Sequence, residues 1–109
     1  MTVLDSEMMY NFCGVNPQDC DEYYVAVCAD SLRADEIWII KAKDVDALNR
    51  IEEAAKNRIQ AKDEESITYS PEQNKVVKAA KTLSSGEYFA LLVSPDVDKI
   101  ANVCYEAAK

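Results

Sequence analysis

Between two pairs of strand-like runs this sequence places one strongly patterned helix, and that placement constrains the fold more than any other feature. Val45, Leu48, Ile51, Ala55 and Ile59 recur at spacings of three and four, which gathers them on one side of a helix over 45–62. Asp44 is placed as its N-cap. Asp46–Arg50 and Glu52–Lys56 lie along it as i,i+4 pairs in the favourable order. An apolar stripe of this kind needs a partner surface, and the flanking runs supply one. Residues 22–29 and 36–43 are rich in Tyr, Val, Ile and Trp and read as strands. Their short link, 30–35, makes them an antiparallel pair. A second hairpin lies in "AKTLSSGEYFALLVS", turning at Ser85-Gly86.

Further helical signals bracket the hairpins. Residues 4–13 carry Leu4, Met8 and Phe12 four apart, and Gly14 is set to end that helix. "NPQD" at 16–19 is a turn, with Pro17 fixing φ and Asn16 or Asp19 bonding the local backbone. Pro71 opens a short helix in "PEQNKVVKAA", and Ser94-Pro95 opens the last one. On that last helix Val97, Ile100, Ala101, Cys104 and Ala108 share a face. The order α-ββ-α-ββ-α predicts a single α+β domain over 1–109. Its mainly antiparallel sheet of about four strands packs against helices as two layers. Ile37 and Ile39 fall on one face of their strand, Trp38 and Ile40 on the other. Two arrangements stay open: a sheet covered on both faces, or one with an exposed aromatic side.

The formal net charge is −8, from 20 acids and 12 bases. That argues against nucleic acid and against anionic membrane, both of which need a basic face. No apolar run approaches the roughly 18 residues of a membrane span. The start, "MTVLDSEMMYNF", lacks the basic and apolar regions of a signal peptide. The absence of His removes the usual Ser and Cys triads. Cys13, Cys20, Cys28 and Cys104 lack zinc-ligand spacing. Asp19, Asp21 and Glu22 offer oxygens to calcium, as do Asp44/Asp46 and Asp96/Asp98, without the Gly-punctuated loop of an EF-hand. Nucleophile elbows and phosphate-cradling Gly-rich loops are missing too. No catalytic residue, metal or cofactor is expected.

Cys28 and Cys104 read as small core hydrophobes. Cys13 and Cys20 flank the turn, where a disulfide fits if their Cα atoms lie within about 7 Å. The remaining candidates are aromatic. Tyr23 and Tyr24 are adjacent, so one faces each way, and with Trp38 and Tyr88 they are the residues that would line an open sheet face.

Four blocks, "CGVNPQDCDEYYVAV", "ADEIWIIKAKD", "YSPEQNKVVKAA" and "GEYFALLVSPDVDKI", stand in this order within a resemblance that covers roughly residues 4–107. Together they resemble a family of uncharacterised secreted bacterial lipoproteins of Gram-positive gut anaerobes, a domain of unknown function. The resemblance implies a place outside the cytoplasmic membrane, tethered by a lipid anchor on a segment that is not in this chain. It transfers no site residue. It also sets Cys13 apart as individual variation, since relatives usually carry an aromatic before Gly14, and likewise Cys20 and Cys28, which match no cysteine of that family. An oxidising location would favour the Cys13–Cys20 bridge. The expected function is a non-catalytic binding or protein-interaction module of a cell-surface lipoprotein, meeting a protein or small ligand at the envelope. The alternatives are a small extracytoplasmic carboxylate-dependent enzyme and a cytosolic protein of unknown role.

Overall fold

Hydrogen bonding gathers the strands into one five-stranded sheet, ordered β1-β2-β3-β5-β4, with every neighbouring pair antiparallel. The computed structural model describes residues 2–28 and 34–108, with the side chains of Tyr69 and of 104–108 outside the description. The strands are β1 (Thr2–Val3), β2 (Cys20–Val27), β3 (Glu36–Ala42), β4 (Lys81–Ser85) and β5 (Tyr88–Val93). Helix α1 (Ser6–Met8) runs on into a π-helical turn, Met9–Cys13; α2 is Val45–Tyr69, α3 is Pro71–Lys78 and α4 is Val97–Ala108. The fold is the α+β arrangement expected from the patterning, with one strand more. That strand, β1, is two residues long, too short to show a period.

Local chemistry explains the boundaries. Asp44 caps α2, its carboxylate accepting the Ala47 N–H at 2.7 Å. The helix passes residue 62 because nothing in 63–69 breaks it; Ser70, extended at φ −153°, stops it and then caps α3 by accepting the Gln73 N–H at 3.2 Å. Gly14 ends the π-helical turn at φ 74°, the left-handed conformation that Gly alone adopts freely. Asn16, rather than Asp19, holds the following turn by accepting the Gln18 N–H. The second hairpin turns at Gly86-Glu87, one residue later than expected, with Ser85 opposite Tyr88 and Gly86 at φ 60°. A Gly in the first central position suits a type II′ turn. Ser94 accepts the Asp96 N–H at 3.1 Å, and α4 starts at Val97. Cys104 and Ala108, expected on the apolar face of α4, have side chains outside the described residues, as does part of the link 30–35.

Register decides which face each strand residue takes. Val25, Trp38 and Leu91 lie side by side, as do Tyr23, Ile40 and Phe89 in the next row. This inner face packs on Ala47, Ile51 and Ala55 of α2, on Leu4, Met9 and Cys13 of the N-terminal segment, and on Val77 of α3. Trp38, Met9, Ile40, Ile51 and Leu91 are its largest fully buried members. Each such side chain removed from water contributes about 1.5–3 kcal/mol. On the outer face α4 adds a partial third layer. Its Val97 and Ala101 pack with Leu92, and Ile37, Leu83 and Ile100 border them.

Two helices also hold the chain just before β3. The Ala34 N–H donates to Gln73 Oε1 of α3 at 2.9 Å, and the Ala34 carbonyl accepts from Lys62 Nζ of α2 at 3.1 Å. The α2–α3 corner is fixed by Asn74, whose Nδ2 donates to Asp63 Oδ1 at 2.9 Å and to Ser66 Oγ at 3.1 Å.

Candidate functional site

The outer face is covered at one end and open at the other. Leu92 and Ile37 of one row pack with α4, whereas the rows Tyr24–Ile39–Ala90 and Glu22–Lys41–Tyr88 extend beyond it. Tyr24 is 47 % exposed, Ile39 43 % and Tyr88 49 %. These three side chains come from three adjacent strands, so they form one continuous strip. Lys41 borders it with Nζ 5.9 Å from the centre of the Tyr88 ring, a contact worth about 0.5 kcal/mol at an exposed site.

The structure divides the four aromatics expected to act together. Tyr24 and Tyr88 lie on the open face. Trp38 is fully buried on the inner face, where its indole Nε1–H donates to Glu36 Oε2 at 2.7 Å. Tyr23 shares the inner-face row of Ile40, at the rim. The reason is the two-residue period of a strand: Tyr23 and Tyr24 must part, and Trp38 follows Val25 rather than Tyr24 across the ladder. Ile39 completes the strip in place of Trp38. The sequence held a signal for this, since Ile39 and Trp38 alternate, yet only the register tells which of them faces α2.

Beneath the inner face lies a charged cluster that sequence reasoning missed. Glu36 has no exposed surface. Arg58 Nη2 donates to its Oε1 at 2.9 Å and Arg58 Nε to its Oε2 at 3.1 Å, and Lys62 Nζ stands 3.4 Å from Oε1. Its traces in the sequence are the Glu36/Trp38 spacing of two and the continuation of the α2 stripe from Ile51 and Ala55 to Arg58 and Lys62. Cys13 lies beside this cluster. Burial, and next the Glu36 charge, push its thiol up to about 12, against the opposing pull of Arg58 and Lys62.

Cys13, Cys20 and Cys28 are free thiols in this structure, without the Cys13–Cys20 bridge. The turn between the first two aims them at different partners. Cys20 Sγ reaches back to the Asn16 carbonyl at 3.7 Å, and burial followed by the Asp19 and Asp21 charges pushes its thiol up to about 11. Neither thiol is activated as a nucleophile.

Asp19 is engaged by Arg50, through Nη2 at 2.7 Å and Nε at 3.0 Å. This two-point contact replaces the expected Asp46–Arg50 pairing as the main partner of Arg50, and it occupies the carboxylate oxygens offered to calcium. The guanidinium holds the Asp19 carboxyl below its ordinary range. A recess of about 360 Å³ lies beside the pair, bordered by Gly14, Val15, Asn16 and Ile51. Among the described residues no three His, Cys, Asp or Glu side chains converge as metal ligands, and no helix is long and apolar enough to cross a membrane.

The architecture is that of an α+β domain whose antiparallel sheet is backed by helices on one face and half-covered on the other. The family described as Domain of unknown function (DUF4358) matches residues 1–94, and the chain belongs to it. No curated protein and no solved structure matches the chain.

Proposed function

We propose that this domain is a non-catalytic binding module that meets a protein partner through the strip of Tyr24, Ile39 and Tyr88. The observation that carries this reading is the contrast on the outer face. Where α4 lies on the sheet, Leu92, Val97 and Ala101 are buried, and directly beyond it three large side chains of adjacent strands stay open to water. Polar-tipped aromatics that are half exposed and fixed on a rigid sheet suit a partner surface, because they contribute area at little entropic cost. The module acts at the cell envelope, as part of a surface lipoprotein of Gram-positive gut anaerobes. The resemblance of the four sequence blocks to secreted lipoproteins supports this reading.

The test is a pull-down from envelope extract with wild type and a Tyr24→Ser, Tyr88→Ser double variant. Loss of specific partners from the variant is expected; identical partner sets would overturn the reading. Trp38 is unsuitable for this purpose, since truncating it would open a cavity in the core. Palmitate labelling and membrane fractionation of the producing organism test the location, and a protein found unlabelled in the cytosol would refute it.

A further inference from the structure

Strand β2 is longer than the strand that covers it. β1 pairs with Val27 and Ala26, and Leu4 donates its N–H to the Val25 carbonyl at 2.8 Å. On the other side, the pairing of Tyr24 with Ile39 and the bond from the Cys28 N–H to the Asp35 carbonyl at 3.0 Å set the phase. Even-numbered residues of β2 bond to β3, so the Tyr23 N–H and carbonyl point the opposite way, at the edge that β1 leaves open. Asp21, Glu22, Tyr23 and Tyr24 are all exposed. The register shift between Cys20 and Glu22 marks the lower end of this edge. A backbone row of this kind is a template for one more strand.

We propose that the open β2 edge at Asp21–Tyr24 receives an extended, basic segment of a partner protein, added to the sheet as a further antiparallel or parallel strand. This rests on the reading of the outer face as a partner surface and states the partner's chemistry. Three features select the segment. The Tyr23 backbone groups supply one donor and one acceptor to any extended chain. Asp21 and Glu22 are charged and β2 carries no base; Lys41 stands opposite Glu22 on the far side of the strand, so in a chain of net charge −8 the edge itself presents acid and attracts Lys or Arg. Glu22 and Tyr24 share the outer face two residues apart. They therefore prefer a basic and an apolar residue at alternate positions of the partner, with the apolar one continuing the strip of Tyr24 and Ile39.

The probe is an end-blocked peptide, Thr-Lys-Thr-Val-Thr-Lys-Thr, which reads the same in both directions, with its Lys-to-Glu counterpart as control. Added to the isotope-labelled full chain, the basic peptide should shift the amide resonances of Asp21–Tyr24 and slow hydrogen exchange at Tyr23. The acidic peptide should bind at least about tenfold more weakly, and added salt should weaken the basic one. Tyr23→Pro removes the outward N–H without touching the β2–β3 ladder and should abolish the response. Should that variant lose its native melting transition, the Asp21→Lys, Glu22→Lys variant decides, since it should invert the peptide preference. No amide shift, or equal affinity for both peptides, would overturn the proposal. So would a charge-independent, concentration-dependent dimer, which would make a second copy of the chain the occupant. If Tyr24→Ser, Tyr88→Ser loses its envelope partners while Tyr23→Pro keeps them, the face reading stands and the edge proposal falls.

Discussion

A fully buried carboxylate is tolerated at Glu36 because Arg58, Lys62 and the Trp38 indole converge on it. Removing its charge would strand two cations in a low-dielectric setting. Glu36→Gln should therefore lower stability by about 3 kcal/mol or more, read as a drop in urea midpoint. Trp38→Phe, which keeps most of the packing and loses the indole donor, should lower it by about 1–3 kcal/mol. The thiols act at the alkaline end. Native Cys13 and Cys20 hold their protons to about 12 and about 11, whereas unfolded thiols ionise near about 8.5. Their contribution is intact below that unfolded value and is lost as pH rises toward the native ones. Cys13 should resist alkylation in the native protein at mildly alkaline pH and react promptly in denaturant, as thiol titration would show. Asp19 has the opposite sign. Arg50 depresses its native value, so its contribution is present above the ordinary Asp range and disappears as pH falls through the native one. Asp19→Asn should be less stable than wild type at neutral pH and should converge with it in acid. At this scale the sequence offered Tyr23, Tyr24, Trp38 and Tyr88 together for the open face, and the register puts only Tyr24 and Tyr88 there. It could not separate Trp38 from Ile39, because both faces of β3 are apolar and alternation alone has no inside or outside.

Among the elements, α2 was the most legible: its cap and most of its stripe follow from spacing, although Val45 is exposed and Ala47 stands in the core instead, and its last turns ran beyond the expected end. Asp44→Ala should weaken its start and cost about 1 kcal/mol in a thermal or urea melt. The two hairpins were legible from β-branched and aromatic runs, and the register shift near Cys20 was not, because a bulge is a local count of residues with no composition of its own. The N-terminal segment departed furthest. Leu4, Met8 and Phe12 suggested one regular helix, yet the chain makes a short strand, one α turn and a π-helical turn. Leu4, Met9 and Cys13 are the buried residues there, while Met8 and Phe12 are exposed. The buried positions are five and then four apart, because Leu4 precedes the helix and only Met9 and Cys13 lie on the π-helical turn, a break that one 3.6-residue repeat cannot reveal.

For the molecule as a whole, eight surplus negative charges spread along one small chain favour expansion by self-repulsion. The melting temperature should rise as salt is added from low to physiological ionic strength, where the screening length shrinks to about 8 Å. A flat or falling response would mean that attractive pairs, such as Lys81 with Asp98 at 2.6 Å, outweigh the repulsion. The strand order places β3 beside β5, so residues from both halves of the chain meet at the centre of the sheet. The double hold on Ala34 adds a kinetic consequence. The groups that grip its backbone lie 28 and 39 residues away, so neither contact can form before α2 and α3 have docked. We expect this anchoring of the β2–β3 pair to form after the folding barrier. Substitutions at Lys62 or Gln73 should then speed unfolding while leaving the refolding rate nearly unchanged.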